Sequence, residues 1–260
     1  MSMKHNPTIE NALPEGLVVN RKWLKKEGFN RPLVDYYLRA GVIEPVARGV
    51  YRRPGPMLKW EHIVYSLQVL GADVHVGGRT ALELQGLGHY LPVQGVQRVF
   101  LYGIGKLPGW LKQYKAEYEF EIKKPRLFEK TPEKAITKIE FGHWDWSVRH
   151  AKPELALLQL LAGVKTKVDF EVADKFFEAA LTLRPQLVMH LLATCRHVKS
   201  KRLFLWFSKR HNHSWFIKID ETLVDLGSGK RVVVKNGTLD KKYLVTVPKE
   251  MVYGSEQSIF

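Results

Sequence analysis

Asn20-Arg21-Lys22-Trp23-Leu24-Lys25-Lys26-Glu27-Gly28-Phe29-Asn30-Arg31-Pro32-Leu33-Val34-Asp35-Tyr36-Tyr37-Leu38-Arg39-Ala40-Gly41 holds two short helical periods around one tight connection. Asn20 stands where an N-cap belongs, and Gly28 closes the first run as a left-handed C-terminal residue does. Asn30 repeats the cap for the second run, where Pro32 is tolerated because first-turn N–H groups have no helical partner. In this second run Leu33, Tyr37 and Leu38 are expected to face inward, with Arg31, Asp35, Tyr36 and Arg39 largely on the opposite face. Two helices joined by a Gly-containing turn of about three residues form a helix-turn-helix unit.

The next residues extend the motif. Val42-Ile43-Glu44-Pro45-Val46 and Val50-Tyr51-Arg52-Arg53 are β-prone segments around Ala47-Arg48-Gly49, a connection short enough for a hairpin. This hairpin is the expected wing, with Arg48 at its tip and Arg52 and Arg53 on the returning strand. Pro54-Gly55-Pro56 reads as a linker. Residues 1–56 are therefore assigned to a winged helix-turn-helix domain, and residues 57–260 to a larger C-terminal α+β domain.

Charge points to a polyanionic partner. Across 260 residues, 41 Lys+Arg against 26 Asp+Glu give a net charge of +15, enough to bias the surface potential. Residues 1–56 carry ten of the basic and five of the acidic residues, so the module is basic without being saturated. In a helix-turn-helix the second helix enters the major groove of double-stranded DNA. Arg31 and Arg39 are candidates for guanine edges, Asn30 and Tyr36 for bases or phosphate, and Asp35 for cytosine N4. Arg21, Arg48, Arg52 and Arg53 complete the candidate DNA contacts, the wing cations being suited to phosphate or an adjacent minor groove. Helix pairs followed by hairpins also occur in domains that bind only protein, and that alternative stays open here.

The second region changes period. Helical runs around 59–71 and 79–86 precede strand-like segments at 96–102, 117–122, 138–141 and 146–148, which imply a mixed sheet. A helix starting on Pro153 and stopping at Gly163 follows, with further helices around 169–182, 185–195 and 198–210. A closing hairpin is expected to pair 231–234 with 243–247 around Asn236-Gly237. The fold class is thus α+β: a winged module followed by a mixed α/β domain with a helical subregion. No run approaches the roughly 18 apolar residues of a membrane span, and the N-terminus lacks a secretory signal. The single cysteine, Cys195, cannot form an internal disulfide, so a reducing compartment is expected and the residue reads as small and buried.

Residues 179–219 contain no carboxylate but eight cations. Of these, Lys199, Lys201, Arg202, Lys209 and Arg210 are read as part of a basic stripe, suited to an acidic partner surface or to extra phosphate contacts, with a merely solvated face as the alternative. The nearly consecutive aromatics between them read as core rather than a base-stacking platform.

The block Gly41-Val42-Ile43-Glu44-Pro45-Val46-Ala47-Arg48-Gly49-Val50-Tyr51 resembles the winged module of the AbiEi family of antitoxins, from the AbiE abortive-infection toxin–antitoxin systems of bacteria. Gly77-Gly78-Arg79-Thr80-Ala81-Leu82-Glu83-Leu84-Gln85-Gly86-Leu87 is similar to that family's small-residue helix, and Lys152-Pro153-Glu154-Leu155-Ala156-Leu157-Leu158 to its Pro-Glu-Arg-Ala helix start. Leu155 stands where that start usually carries arginine, so no role is carried over to it. The resemblance implies a cytoplasmic, bifunctional antitoxin. Its winged domain would bind promoter inverted repeats and repress its own operon, and its C-terminal domain would counteract a cognate nucleotidyltransferase-like toxin, which the basic stripe would face.

Two other classes are weighed beside it. Glu121-Ile122-Lys123 has the Glu-x-Lys form of restriction-endonuclease-like nucleases, with Asp73 as an upstream carboxylate, although a solvent-facing strand explains it more simply. A stand-alone transcription factor that senses a ligand is the other, but no sequence feature picks out a pocket. The histidines are scattered without metal-ligand spacing, and Gly103-Ile104-Gly105-Lys106 lacks the rest of a phosphate-binding loop. No enzymatic activity, metal or cofactor is expected.

Overall fold

A computed structural model describes residues 8–88, 97–115, 117–143 and 145–252. The winged module is built from α1 (Ile9–Ala12), β1 (Val19–Asn20), α2 (Arg21–Lys26), α3 (Arg31–Arg39), β2 (Glu44–Ala47) and β3 (Val50–Arg52). Both expected caps are formed: Asn20 Oδ1 accepts from the Trp23 N–H at 2.9 Å and Asn30 Oδ1 from the Leu33 N–H at 3.1 Å. Gly28 adopts φ +94° between the helices, a conformation that costs a Cβ-bearing residue energy. The inward face of α3 is centred one residue from the expected set. Val34 is its buried residue, and Leu33, Tyr37 and Leu38 pack around it only partly covered.

The strands β2 and β3 pair antiparallel as the wing, with a register shift between Pro45 and Ala47, and β1 adds to the other edge of β3. The module's core gathers Ile9, Leu13, Val19, Leu24, Phe29, Val34, Ile43 and Tyr51 around Trp146, which comes from the larger body. The Val18 N–H also donates to the buried Ser66 hydroxyl at 2.9 Å. Residues 54–56 therefore connect two units that are packed together.

The body begins with α4 (Trp60–Val69), β4 (Val74–Val76), α5 (Gly78–Leu84), β5 (Gln97–Gly103) and β6 (Tyr118–Lys123). It continues through β7 (Ile136–Phe141), β8 (Trp146–Ala151) and the helices α6 (Pro153–Gly163), α7 (Lys167–Ala179), α8 (Pro185–Thr194) and α9 (Val198–His211). Five strands form one mixed sheet in the order β6-β5-β4-β8-β7, with β5–β6 and β4–β8 parallel and the other neighbours antiparallel. The central strand β4, Val-His-Val, is absent from the sequence-based expectation. Three residues are too few to display an alternating period, and all three are buried. Helix α6 is apolar nearly all round, with Leu155, Ala156, Leu157, Leu158 and Leu161 buried, as a helix packed on several sides must be.

The closing hairpin differs from expectation. The strand paired with β10 (Val245–Val247) is β9 (Thr238–Asp240), whereas Arg231 makes only an isolated parallel bridge to Val245. Asn236-Gly237 precedes β9 instead of forming the hairpin turn. That turn runs from Asp240 to Leu244: Asp240 Oδ1 accepts from the Tyr243 N–H at 2.8 Å, and Leu244 takes φ +51°. Cys195 is buried, and burial pushes its thiol pKa up. No helix among the described residues is long and apolar enough to cross a membrane.

Candidate nucleic-acid interface

Helix α3 presents Arg31, Tyr36 and Arg39 to solvent, Tyr36 being 57% exposed. Arg31 Nε lies 3.8 Å from the Asp35 carboxylate one turn on. An exposed pair at that distance contributes little stability and leaves Arg31 available to another partner. Asp35 also acts on Arg21, whose pKa is raised chiefly by its hydrogen bond to Tyr51, with Asp35 adding to the effect. The start of α2 thus borders the α3 face. Asn30 is exposed, but its side-chain oxygen is committed to the cap of α3. Arg48 stands exposed at the wing tip beside Gly49, which holds φ +75°.

The other two wing cations are engaged inside the module. Arg52 Nε bonds Glu44 Oε1 at 2.5 Å and its Nη1 donates to the Pro56 carbonyl at 3.2 Å. Arg53 pairs with Glu15 at 3.4 Å. Cross-strand pairing of Glu44 with Arg52 is set by the wing register.

The stripe in α9 is not one surface. Arg202, 1% exposed, donates to the carbonyls of Leu226, Gly227, Gly229 and Leu244 at 2.6–3.2 Å. Lys201 is likewise buried. Lys199 Nζ donates to the Ala162 and Val164 carbonyls at the end of α6, at 3.0 and 2.8 Å. Arg210 bonds Asp174 and the Met251 carbonyl, leaving Lys209 as the fully exposed member. The expectation of a continuous charged face is corrected for a simple reason: the helix is covered on several sides, and its cations satisfy carbonyls of the segments that cover it. The intervening aromatics are core, as expected.

In the nuclease reading, Glu121 would hold a metal and Lys123 would aid a water. The two side chains are instead ion-paired with each other. Among the described residues no group of three His, Cys, Asp or Glu side chains is placed to hold a metal ion.

A winged helix-turn-helix docked on a mixed α+β body defines the class of protein. The chain belongs to the AbiEi antitoxin family of type IV toxin–antitoxin transcriptional regulators: the family's N-terminal domain model matches residues 2–93, and its main model matches residues 96–248. Among solved structures, the crystal structure of RV2827C protein from Mycobacterium tuberculosis is similar, at 12% identity over 89% of this chain and 86% of that chain, with a TM-score of 0.51. At that identity the likeness speaks to the fold. No curated protein sequence matches the chain.

Proposed function

We propose that this regulator is an autorepressing antitoxin without catalytic activity of its own, acting in the cytoplasm, in which residues 1–56 read inverted repeats in its own promoter and residues 57–260 counteract a nucleotidyltransferase-like toxin. The observation that carries the DNA half is the exposed α3 face with Arg31, Tyr36 and Arg39, bordered by Arg21 and flanked by a wing tip ending in Arg48. Arg31 and Arg39 are assigned to base edges, Arg21 and Arg48 to phosphate, and Asp35 to positioning Arg31 and Arg21. Asn30, Arg52 and Arg53 support the shape of the module through the cap and ion pairs already described. For the antitoxin half, the exposed Lys209 is the α9 cation left for the toxin, where complementary charge would speed association, while Lys199 and Arg210 serve the contacts already described. Lys201 and Arg202 serve the core.

The test is a mobility shift of the full chain on DNA from upstream of its own gene, against a shuffled competitor. Trp146 belongs to the module's core, so the control is the pair R31A/R39A rather than a deletion that would expose that core. Specific binding lost in the pair supports the reading; equal binding to both DNAs overturns it. For the antitoxin half, K209E is co-expressed with the toxin, and full rescue by this variant would remove α9 from the toxin surface.

A further inference from the structure

A cavity of about 470 Å³ opens at the carboxyl ends of the parallel strands β5 and β6, under residues 124–133. Its volume lies in the range of small-molecule sites. His75, Tyr102 and Gln159 form its inner wall, and Arg149 and Lys123 stand among its lining residues.

The inner wall has a determined hydrogen-bond polarity. The Gly78 N–H can only donate, and it donates to Gln159 Oε1 at 3.0 Å. The Gln159 amide nitrogen must then face His75 Nε2, 2.9 Å away, and an amide N–H donates. His75 Nε2 is therefore the acceptor, and the imidazole carries its proton on Nδ1. Burial, with Arg149 adding to it, lowers the His75 pKa to about 4, so this neutral tautomer holds at neutral pH. The Tyr102 hydroxyl donates to the Gln159 carbonyl at 3.3 Å, and its ring stacks on His75. His75 is 7% exposed, and its Nδ1–H meets no acceptor among the described residues. His75 belongs to the cavity lining, so this donor is open to whatever the cavity holds.

Gly77 and Gly78 protect the arrangement. A Cβ on either would run into Tyr102, and one on Gly77 into Gln159 as well, while Gly78 also holds φ +51°.

The rim supplies charge. Lys124, Arg126 and Lys130 line the mouth, are exposed, and form no ion pair among the described residues. Three carboxylates of the lining are ion-paired: Asp73 and Glu133 lie 3.7 and 3.4 Å from Arg149 of the same cavity, and Glu129 pairs with Arg196.

We propose that this cavity binds a small phosphorylated ligand of mononucleotide size, its phosphate held by Lys124, Arg126 and Lys130 and its polar body accepting a hydrogen bond from His75. The site is separate from the α3 face, and the proposal does not rest on the DNA or toxin readings.

The test is titration calorimetry of the full chain at pH 7.5 with the four ribonucleoside monophosphates, adenosine and inorganic phosphate. At least one nucleotide is expected to bind with one-to-one stoichiometry. Loss of charge-assisted bonds should weaken it by about tenfold or more in K124E/R126E/K130E, whose changes fall on exposed positions and leave the fold intact. H75F, which keeps the ring stacked on Tyr102 but lacks the donor, should weaken it as well; where H75F fails to fold, the rim variant alone decides. No nucleotide binding, binding unchanged by the rim variant, or phosphate binding as tightly as the best nucleotide would overturn the proposal. So would adenosine matching its monophosphate, or displacement of the nucleotide by a single-stranded oligonucleotide of higher affinity.

Discussion

The Nε–H of Arg21 donates to the Tyr51 hydroxyl at 2.8 Å, tying the first residue of α2 to the returning strand of the wing. Tyr51 is buried in the module's core, so the position of an exposed cation is set by a core residue. Y51F keeps the ring and removes the acceptor. It is expected to leave the fold intact and weaken promoter binding severalfold, as R21A does, and the double variant should lose no more than either single one, because the two residues act as a unit. Binding isotherms of the three variants check this; additive losses would show that Arg21 acts independently of Tyr51.

Base readout and phosphate contact separate by salt dependence. R31A and R39A should each cost about 1–3 kcal/mol on promoter DNA and relax specificity at one base pair. R48A should weaken all sequences alike and reduce the salt slope by about one. Equal losses of R31A on specific and random DNA would place Arg31 on phosphate.

Arg202 is expected to matter for stability. R202M removes the guanidinium that the carbonyls of Leu226, Gly227, Gly229 and Leu244 share, Leu244 alone keeping a second donor in the Arg231 N–H, a loss of about 2 kcal/mol, read as a lower denaturant midpoint. The loosened segment, residues 226–244, should become sensitive to limited proteolysis while DNA binding persists in the folded fraction. A midpoint equal to that of the unaltered chain would contradict the clamp. Loss of toxin neutralisation in R202M would then report unfolding, which is why K209E is the cleaner probe of that surface.

Acid stability should carry the mark of His75. Its folded pKa is lowered from 6.5 to about 4, so between those values the unfolded chain binds a proton that the folded chain does not. Stability is therefore undiminished by this group above pH 6.5 and falls as pH drops towards 4, by about 3 kcal/mol in all. Denaturation of H75F across this window should show a shallower slope than that of the unaltered chain. Parallel slopes would mean that His75 protonates as readily in the fold as in the unfolded chain.

Much of the winged module was legible because its signals are local. Asn20 and Asn30 cap helices three residues away, Gly28 takes the left-handed turn, and Gly49 closes the wing, all through contacts within a few positions. The helices of the second half were legible for the same reason: proline starts at 153 and 185 and a glycine stop at 163. Lysine and arginine composition likewise gives the net charge of +15 without saying where the charge sits.

Tertiary structure decided what depends on residues remote in the chain. Arg202 and Lys209 look equivalent in sequence, yet Arg202 is buried by carbonyls 24–42 positions away while Lys209 stays in solvent. The strand Val74–Val76 is a strand because β5 and β8 flank it, and the partner of β10 is chosen by the turn at Asp240, not by the Asn-Gly pair. The hydrogen-bonded wall beside His75 forms because Gly78, Tyr102 and Gln159 converge from three elements. Caps and turns are fixed by bonds a few residues long, so sequence determines them; burial, strand pairing and the polarity of a buried amide are fixed by partners that only the folded chain brings within reach.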